Sequence, residues 1–201
     1  MSKSSLTTLV LILVLLQGCA AVVVGGAATG AKVAHDRRTT GTFIEDEAIE
    51  LKSLKAIFDD KELNKQTHIN VTSFNTIVLL SGEAPTEELR QRVVDIVTNV
   101  DKVSHVHNEI AIAGPSSLMS RSGDTLITTK VKTKLIAEKN LDGTHVKVVT
   151  ENGVVYLMGL VTREDGEKAT EIARQTGGVQ KVVKLFQYIQ RSEPAPENEA
   201  S

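Results

Sequence analysis

The sequence predicts an α+β protein: two tandem αββαβ modules, each a three-stranded mixed sheet covered by two helices. Three observations carry this. The body of the chain is one pattern written twice, so that Thr67-His68, Asn75 and Gly82 recur as Thr144-His145, Asn152 and Gly159. Each copy passes from helical to strand periodicity and back. Between the copies lies "AGPSSLMSRSG", a Gly/Pro/Ser-rich joint. The expected organisation is a signal peptide at 1–18, a tether at 19–44, a first module at 45–112 and a linker at 113–123. A second module at 124–190 and a disordered acidic tail at 191–201 complete the chain.

In the first module, Leu54, Ile57 and Phe58 recur at helical spacing. An extended stretch begins near Val71, and "TIVLLSG" (Thr76 to Gly82) is the short apolar run of a buried strand. Asn75-Thr76 and, in the second copy, Asn152-Gly153 are tight-turn dipeptides, the latter a strong hairpin signal. Leu89, Val93, Ile96, Val97 and Val100 form an apolar stripe, which makes an amphipathic helix. "VSHVHNEI" (Val103 to Ile110) is the closing strand. Because it follows a crossover helix, it should pair in parallel and make the sheet mixed.

The amino-terminal segment has a different grammar. Lys3 precedes the eleven-residue apolar run Leu6 to Leu16, the length of an export signal. A spanning anchor would need about 20 residues, and apolar or small residues do continue to Ala31. Residues 20 to 31, however, are rich in Gly, Ala and Val and lack the Leu and Ile of a lipid-facing helix. "Leu16-Gln17-Gly18-Cys19" resembles a bacterial lipobox, with Gly18 the small residue before the only cysteine. That resemblance implies signal cleavage before Cys19 and acylation of its thiol and amino group, palmitate-class chains included. Ala20, where Asp would signal inner-membrane retention, implies sorting to the outer membrane. A flexible tether of about 25 residues reaches roughly 25–30 Å.

Composition closes several routes. With one Cys, no intramolecular disulfide forms. A net charge of −2, no Trp and two Tyr supply neither a phosphate-binding field nor a stacking platform, so no nucleic-acid partner is expected. No catalytic constellation emerges, and no enzyme activity or cofactor is expected. The five His include His105-x-His107 on one strand face, but no Cys or His-Glu-x-x-His motif accompanies them, and no metal site is expected. "GGAATG" (Gly25 to Gly30) follows no strand and lacks the P-loop Lys.

The modules differ in charge. Residues 45–112 carry 13 acids and 7 bases, whereas 117–191 carry 8 acids and 12 bases. The contrast is sharpest in the first helices: seven acids lie between Glu45 and Glu62, while Asp124 to Lys139 contains Lys130, Lys132, Lys134 and Lys139. With Asp124 as N-cap, Ile127, Val131 and Leu135 form the core stripe of the second of these helices. Leu126 then points outward among Lys130, Thr133 and Ala137. By itself that is an ordinary exposed leucine.

The αββαβ order, with "Val155-Tyr-Leu-Met-Gly159" before the second helix and "Gly178-Val179-Gln-Lys-Val182" after it, resembles the BON domain. The first copy keeps "Val78-Leu-Leu-Ser-Gly82" but has Asp101-Lys102-Val103 where the family has Gly-Val. Signal, lipobox and tandem modules together are similar to the dual-BON outer-membrane lipoproteins of Gram-negative bacteria. That resemblance implies a non-enzymatic, outer-membrane-anchored protein facing the periplasm, which binds anionic phospholipid of the phosphatidylglycerol or cardiolipin class. It implies a part in envelope integrity and cell division. It places the phospholipid contact on the first helix of the second module, at Leu126, Ile127, Thr129, Lys130, Thr133 and Lys134. Those relatives have Trp at the Leu126 position. An adaptor that recruits envelope assembly or cell-wall proteins is the alternative.

Overall fold

A computed structural model describes residues 37–190. The expected signal, Cys19, most of the tether and the tail lie outside the described residues. The elements run α1 (Thr40–Asp59), α2 (Lys61–Gln66), β1 (His68–Phe74), β2 (Ile77–Ala84), α3 (Glu87–Thr98) and β3 (His105–Ile112) in the first module. The second has α4 (Leu118–Ala137), a 3₁₀ turn (Gly143–His145), β4 (Val146–Glu151), β5 (Val154–Val161), α5 (Arg163–Arg174) and β6 (Lys181–Tyr188). Each sheet has its hairpin strands antiparallel and its third strand parallel to the middle one, β1-β2-β3 and β4-β5-β6. The α+β class and the mixed sheets are therefore as the sequence predicts. Among the described residues no helix is long and apolar enough to cross a membrane.

Strand alternation sorts each middle strand between two cores. In β2, Val78 and Leu80 join Ile49, Ile57, Val93 and Val97 beneath α1 and α3. In β5, Val155 and Leu157 join Val131, Leu135, Ala169 and Ala173 beneath α4 and α5. The intervening residues face the other way: Leu79 and Phe74 pack against Tyr156 and Met158 of the sister module in a third core. The open faces of the two sheets cover one another, which gives four layers: helices, sheet, sheet, helices. Strands covered on both faces read as continuous apolar runs, which explains why "VLL" and "VVYLM" do not alternate.

The glycine that ends each of these runs has a steric cause. At Gly82, which has φ +110°, a Cβ would lie 2.0 Å from the carbonyl oxygen of His68; at Gly159 it would lie 2.5 Å from that of His145. The antiparallel neighbour leaves no room for a side chain there.

Both hairpins are fastened by a buried aspartate on the first helix of their module. Asp46 accepts the Asn75 and Thr76 N–H groups, each at 2.8 Å, and the Ser73 hydroxyl at 2.5 Å. Asp124 accepts the Asn152 and Gly153 N–H groups at 2.9 and 2.8 Å. The four turn residues have φ between 49° and 75°, the geometry of a primed two-residue turn.

The structure corrects three expectations and adds the rotation of α1, whose helical spacing at Leu54, Ile57 and Phe58 is as expected. Asp124 is no N-cap: Ser117 caps α4, accepting the Ser120 N–H, and the helix begins at Leu118, inside the segment read as linker. The end of the expected tether is also structured. Thr39 caps α1 from Thr40, and Arg38 pairs with Asp46 at 2.7 Å while lying over the rings of Phe43 and Phe74. In α1 the core stripe is Asp46, Ile49, Ser53 and Ile57, so Leu54 and Phe58 face outward. The anchoring of Asp46 to its turn fixes that rotation. Lastly, β3 begins at His105 rather than Val103.

Candidate functional site

The face of α4 opposite its core stripe is built by helix geometry alone. At about 100° per residue, Leu118, Ser122, Leu126, Thr129, Thr133 and Ile136 share an arc of roughly 80°, with Met119 at its edge and Val131 and Leu135 on the far side. The large members of this arc are bare: Leu118 is 79% exposed, Met119 83%, Leu126 61% and Ile136 65%. Lys130 and Lys134 flank one border, Arg121 and Lys132 the other. The result is a strip about five turns long, apolar at Leu118, Met119, Leu126 and Ile136, between basic edges.

The expected contact residues divide by placement. Leu126, Lys130 and Thr133 stand in the open. Ile127 is half-buried, packing on the second module's core and against Gly178, where a Cβ would come 3.0 Å from its side chain. Thr129 is exposed and returns its hydroxyl to the Thr125 carbonyl at 2.9 Å. Lys134 donates to the Gln175 carbonyl at 3.2 Å, so its charge sits at the carboxyl end of α5, where the helix dipole favours it. Leu118, Met119 and Ile136 were missed. The first two fell in a segment read as linker, and the Ser117-x-x-Ser120 cap was the available signal.

Beside α4, a cleft of about 580 Å³ separates the helix from the hairpins, with Thr125, Thr129 and Lys132 on one wall and His68, Asn70 and Glu151 on the other. In and beside it, polar bonds join the modules. Asn70 donates to Glu151 at 2.7 Å and Asn152 donates to Glu83 at 2.6 Å, each bond crossing between modules. Burial pushes the Glu151 carboxyl up, the charges of Glu83 and Asp124 adding to it against the Asn70 hydrogen bond. Burial would raise Glu83 too, but hydrogen bonds from Asn152, Ser116 and His68 together hold it below its ordinary value. Elsewhere Lys147 reaches Glu50 at 2.9 Å and the Ser73 carbonyl at 3.1 Å. His105 and His107 do share a face, ring centroids 4.5 Å apart, and burial then His105's charge lower the His107 value.

The first helix of the other module also presents exposed apolar residues, in a segment of net opposite charge. α1 exposes Ile44, Leu51, Leu54 and Phe58, and the last three border an apolar groove of about 460 Å³ that Lys55 and His68 also line. Over the whole segment Glu45 to Glu62 acids outnumber bases, where α4 is rich in lysine.

Two αββαβ units closed on each other through their sheets, each with a glycine-ended middle strand and an aspartate-fastened hairpin, define a class of tandem-module protein. Residues 45–114 and 123–190 each match the BON domain, and the chain belongs to that family. It is 38% identical, over 94% of its length and the whole of the relative's, to the Outer membrane lipoprotein DolP of Haemophilus influenzae. It is 36% identical to the 21 kDa hemolysin of Actinobacillus pleuropneumoniae, over 77% of this chain and 80% of that one. Osmotically-inducible protein Y of Escherichia coli is 33% identical over 76% of this chain and 77% of its own.

Proposed function

We propose that this chain is a non-enzymatic outer-membrane lipoprotein, held in the periplasm by acyl chains on Cys19, that binds anionic phospholipid through α4 and supports envelope integrity. Likeness to a protein named as an outer membrane lipoprotein supports the location, and the lipobox supports the anchor. The observation that carries the lipid reading is the exposed strip of Leu118, Met119, Leu126 and Ile136 between lysines. An apolar strip with basic borders lies in a bilayer interface, its side chains in the acyl boundary and its lysines among headgroup phosphates. Each lysine near an anionic surface contributes about 1 kcal/mol, and burial of one leucine roughly 1.5–3 kcal/mol. A contact of that size is weak alone. The lipid anchor makes it sufficient by holding the helix at high effective concentration over the membrane.

The test is liposome binding by the full chain in detergent-free nanodiscs of defined lipid. Crosslinking of α4 to phosphatidylglycerol or cardiolipin discs, absent from phosphatidylcholine discs and reduced by salt and by Leu126→Glu, is the expected result. Equal labelling on both discs removes the lipid reading.

The second reading, a protein adaptor, is favoured by the exposed apolar face of α1, with Leu51, Leu54 and Phe58 beside a groove. If crosslinks from α4 run to an envelope protein and never to lipid, the adaptor replaces the first reading.

A further inference from the structure

A polar cluster at the junction of the modules has the chemistry of a cation site. We propose that His68, Glu83 and Glu151 bind a divalent transition-metal ion of the zinc class. One ligand atom from each of the three lies within 4.8 Å of the others; ordinary metal–ligand distances of about 2.0–2.2 Å are reached once the outermost of these atoms draws inward by roughly half an ångström or more. His68 and Glu83 are direct partners across the β1-β2 ladder, with Nδ1 3.2 Å from Oε2. Glu151 arrives from β4 of the other module. Glu83 is 2% exposed and Glu151 6%.

Two features set this cluster apart from an ordinary group of acids. The carboxylates are already held by outer donors, Asn152 on Glu83 Oε1 and Asn70 on Glu151 Oε2. Such donors fix ligand orientation in metal sites. Glu83 Oε2 then faces the His68 imidazole at 3.2 Å and also accepts the Ser116 N–H at 3.2 Å. Independently, the Ser81 hydroxyl is almost wholly buried and makes no hydrogen bond. Strand alternation puts Ser81 on the face of β2 that carries Glu83, and its ladder partner is Asn70. A water bound to an ion among these groups would be a candidate partner for that orphaned oxygen.

Charge points the same way. Two buried carboxylates lie side by side, with Asp124 close enough to act on Glu151, and His68 is the basic member of the trio. A buried charge needs pairing or a metal. One imidazole with two carboxylates suits zinc or manganese, whereas calcium and magnesium take all-oxygen sets. His68 and Glu151 open onto the cleft beside α4, which supplies an entry path and room for water ligands. No sequence motif announces the site, because its ligands come from three strands of two modules.

The experiment is calorimetric titration of zinc chloride into the full chain, purified in detergent and stripped with EDTA. Cobalt(II) absorption serves as a second, spectroscopic readout. One zinc per chain is expected. His68→Ala and Glu151→Gln should each weaken binding by more than about tenfold and abolish the cobalt bands, while a His105→Ala, His107→Ala double variant should bind as the parent does. Metal-free melting curves certify that the variants fold; if Glu151→Gln does not, the partly exposed His68 decides alone. No zinc uptake by the parent, uptake unchanged in the His68 variant, or uptake lost only in the His105/His107 variant overturns the proposal.

Discussion

Replacement of Asp124 by Ala separates two views of one residue by the sign of its effect. Were Asp124 a polar residue on a solvated helix, alanine would be neutral or stabilising, since it improves helix propensity by up to about 0.7 kcal/mol. In the fold, its carboxylate accepts two backbone N–H groups of the Asn152-Gly153 turn. A buried donor that loses its acceptor costs about 1–3 kcal/mol. The Gly153 bond is buried and incurs that cost in full; the Asn152 bond is part-buried, so water recovers part of it. The sum is about 2–4 kcal/mol, less the propensity gain, and hence a net loss of about 1–3 kcal/mol. For a protein of this length that lowers the melting temperature by about 2–12 °C. Urea unfolding of the full chain measures the loss, and amide exchange at Gly153 localises it. Asp124→Asn, which keeps one oxygen acceptor, should fall between. An Asp124→Ala protein as stable as the parent, with Gly153 still protected, would refute the reasoning.

Two further outcomes follow from the same structure. Thr76 is β-branched yet has φ 65°, a backbone region that costs an L-residue about 1–2 kcal/mol, and its hydroxyl bonds are exposed or local. Thr76→Gly, which copies the second module's turn, should therefore raise stability by up to about 1 kcal/mol in denaturant titration; a loss would show that the hydroxyl bonds outweigh the strain. Burial in the inter-sheet core, with Glu109 and Glu151 adding, pushes the Tyr156 phenol up to about 12. The folded state thus holds its proton more tightly than the unfolded state, whose value is about 10. That stabilisation is complete below pH 10 and disappears as pH rises to about 12, amounting to about 3 kcal/mol. Parent and Tyr156→Phe stabilities should diverge across that window and not below it; parallel curves would remove the assignment.

Much of this fold was legible because it is local or repeated. Apolar spacing found the stripe of α3, the turn dipeptides found both hairpins, and the duplication allowed each copy to check the other. What failed was decided by distant partners. Asp124 stands where a cap would stand, and only the hairpin 28 residues away reveals that it fastens a turn instead. The spacing of Leu54, Ile57 and Phe58 shows a helix but not its rotation; with Asp46 bound to its turn, Ile49, Ser53 and Ile57 take the interior. The candidate site was half legible for a similar reason. Leu126 and its lysines lie on one helix and can be placed by angle, whereas Ile127 and Lys134 are held by Gly178 and Gln175 of another element. The His68, Glu83 and Glu151 cluster was invisible, since its members meet only after two sheets close on each other.

That closure has a consequence for how the molecule sits in its surroundings. Because each sheet spends its naked side on its twin, the helix layers are turned to the outside, on opposite flanks of the sandwich. If the proposed contact of the lysine-bordered flank with lipid is made, the other flank, where Leu51, Leu54 and Phe58 are exposed, is turned away from it. Duplication has thus produced a two-faced body whose halves are free to acquire different tastes without disturbing the seam between them.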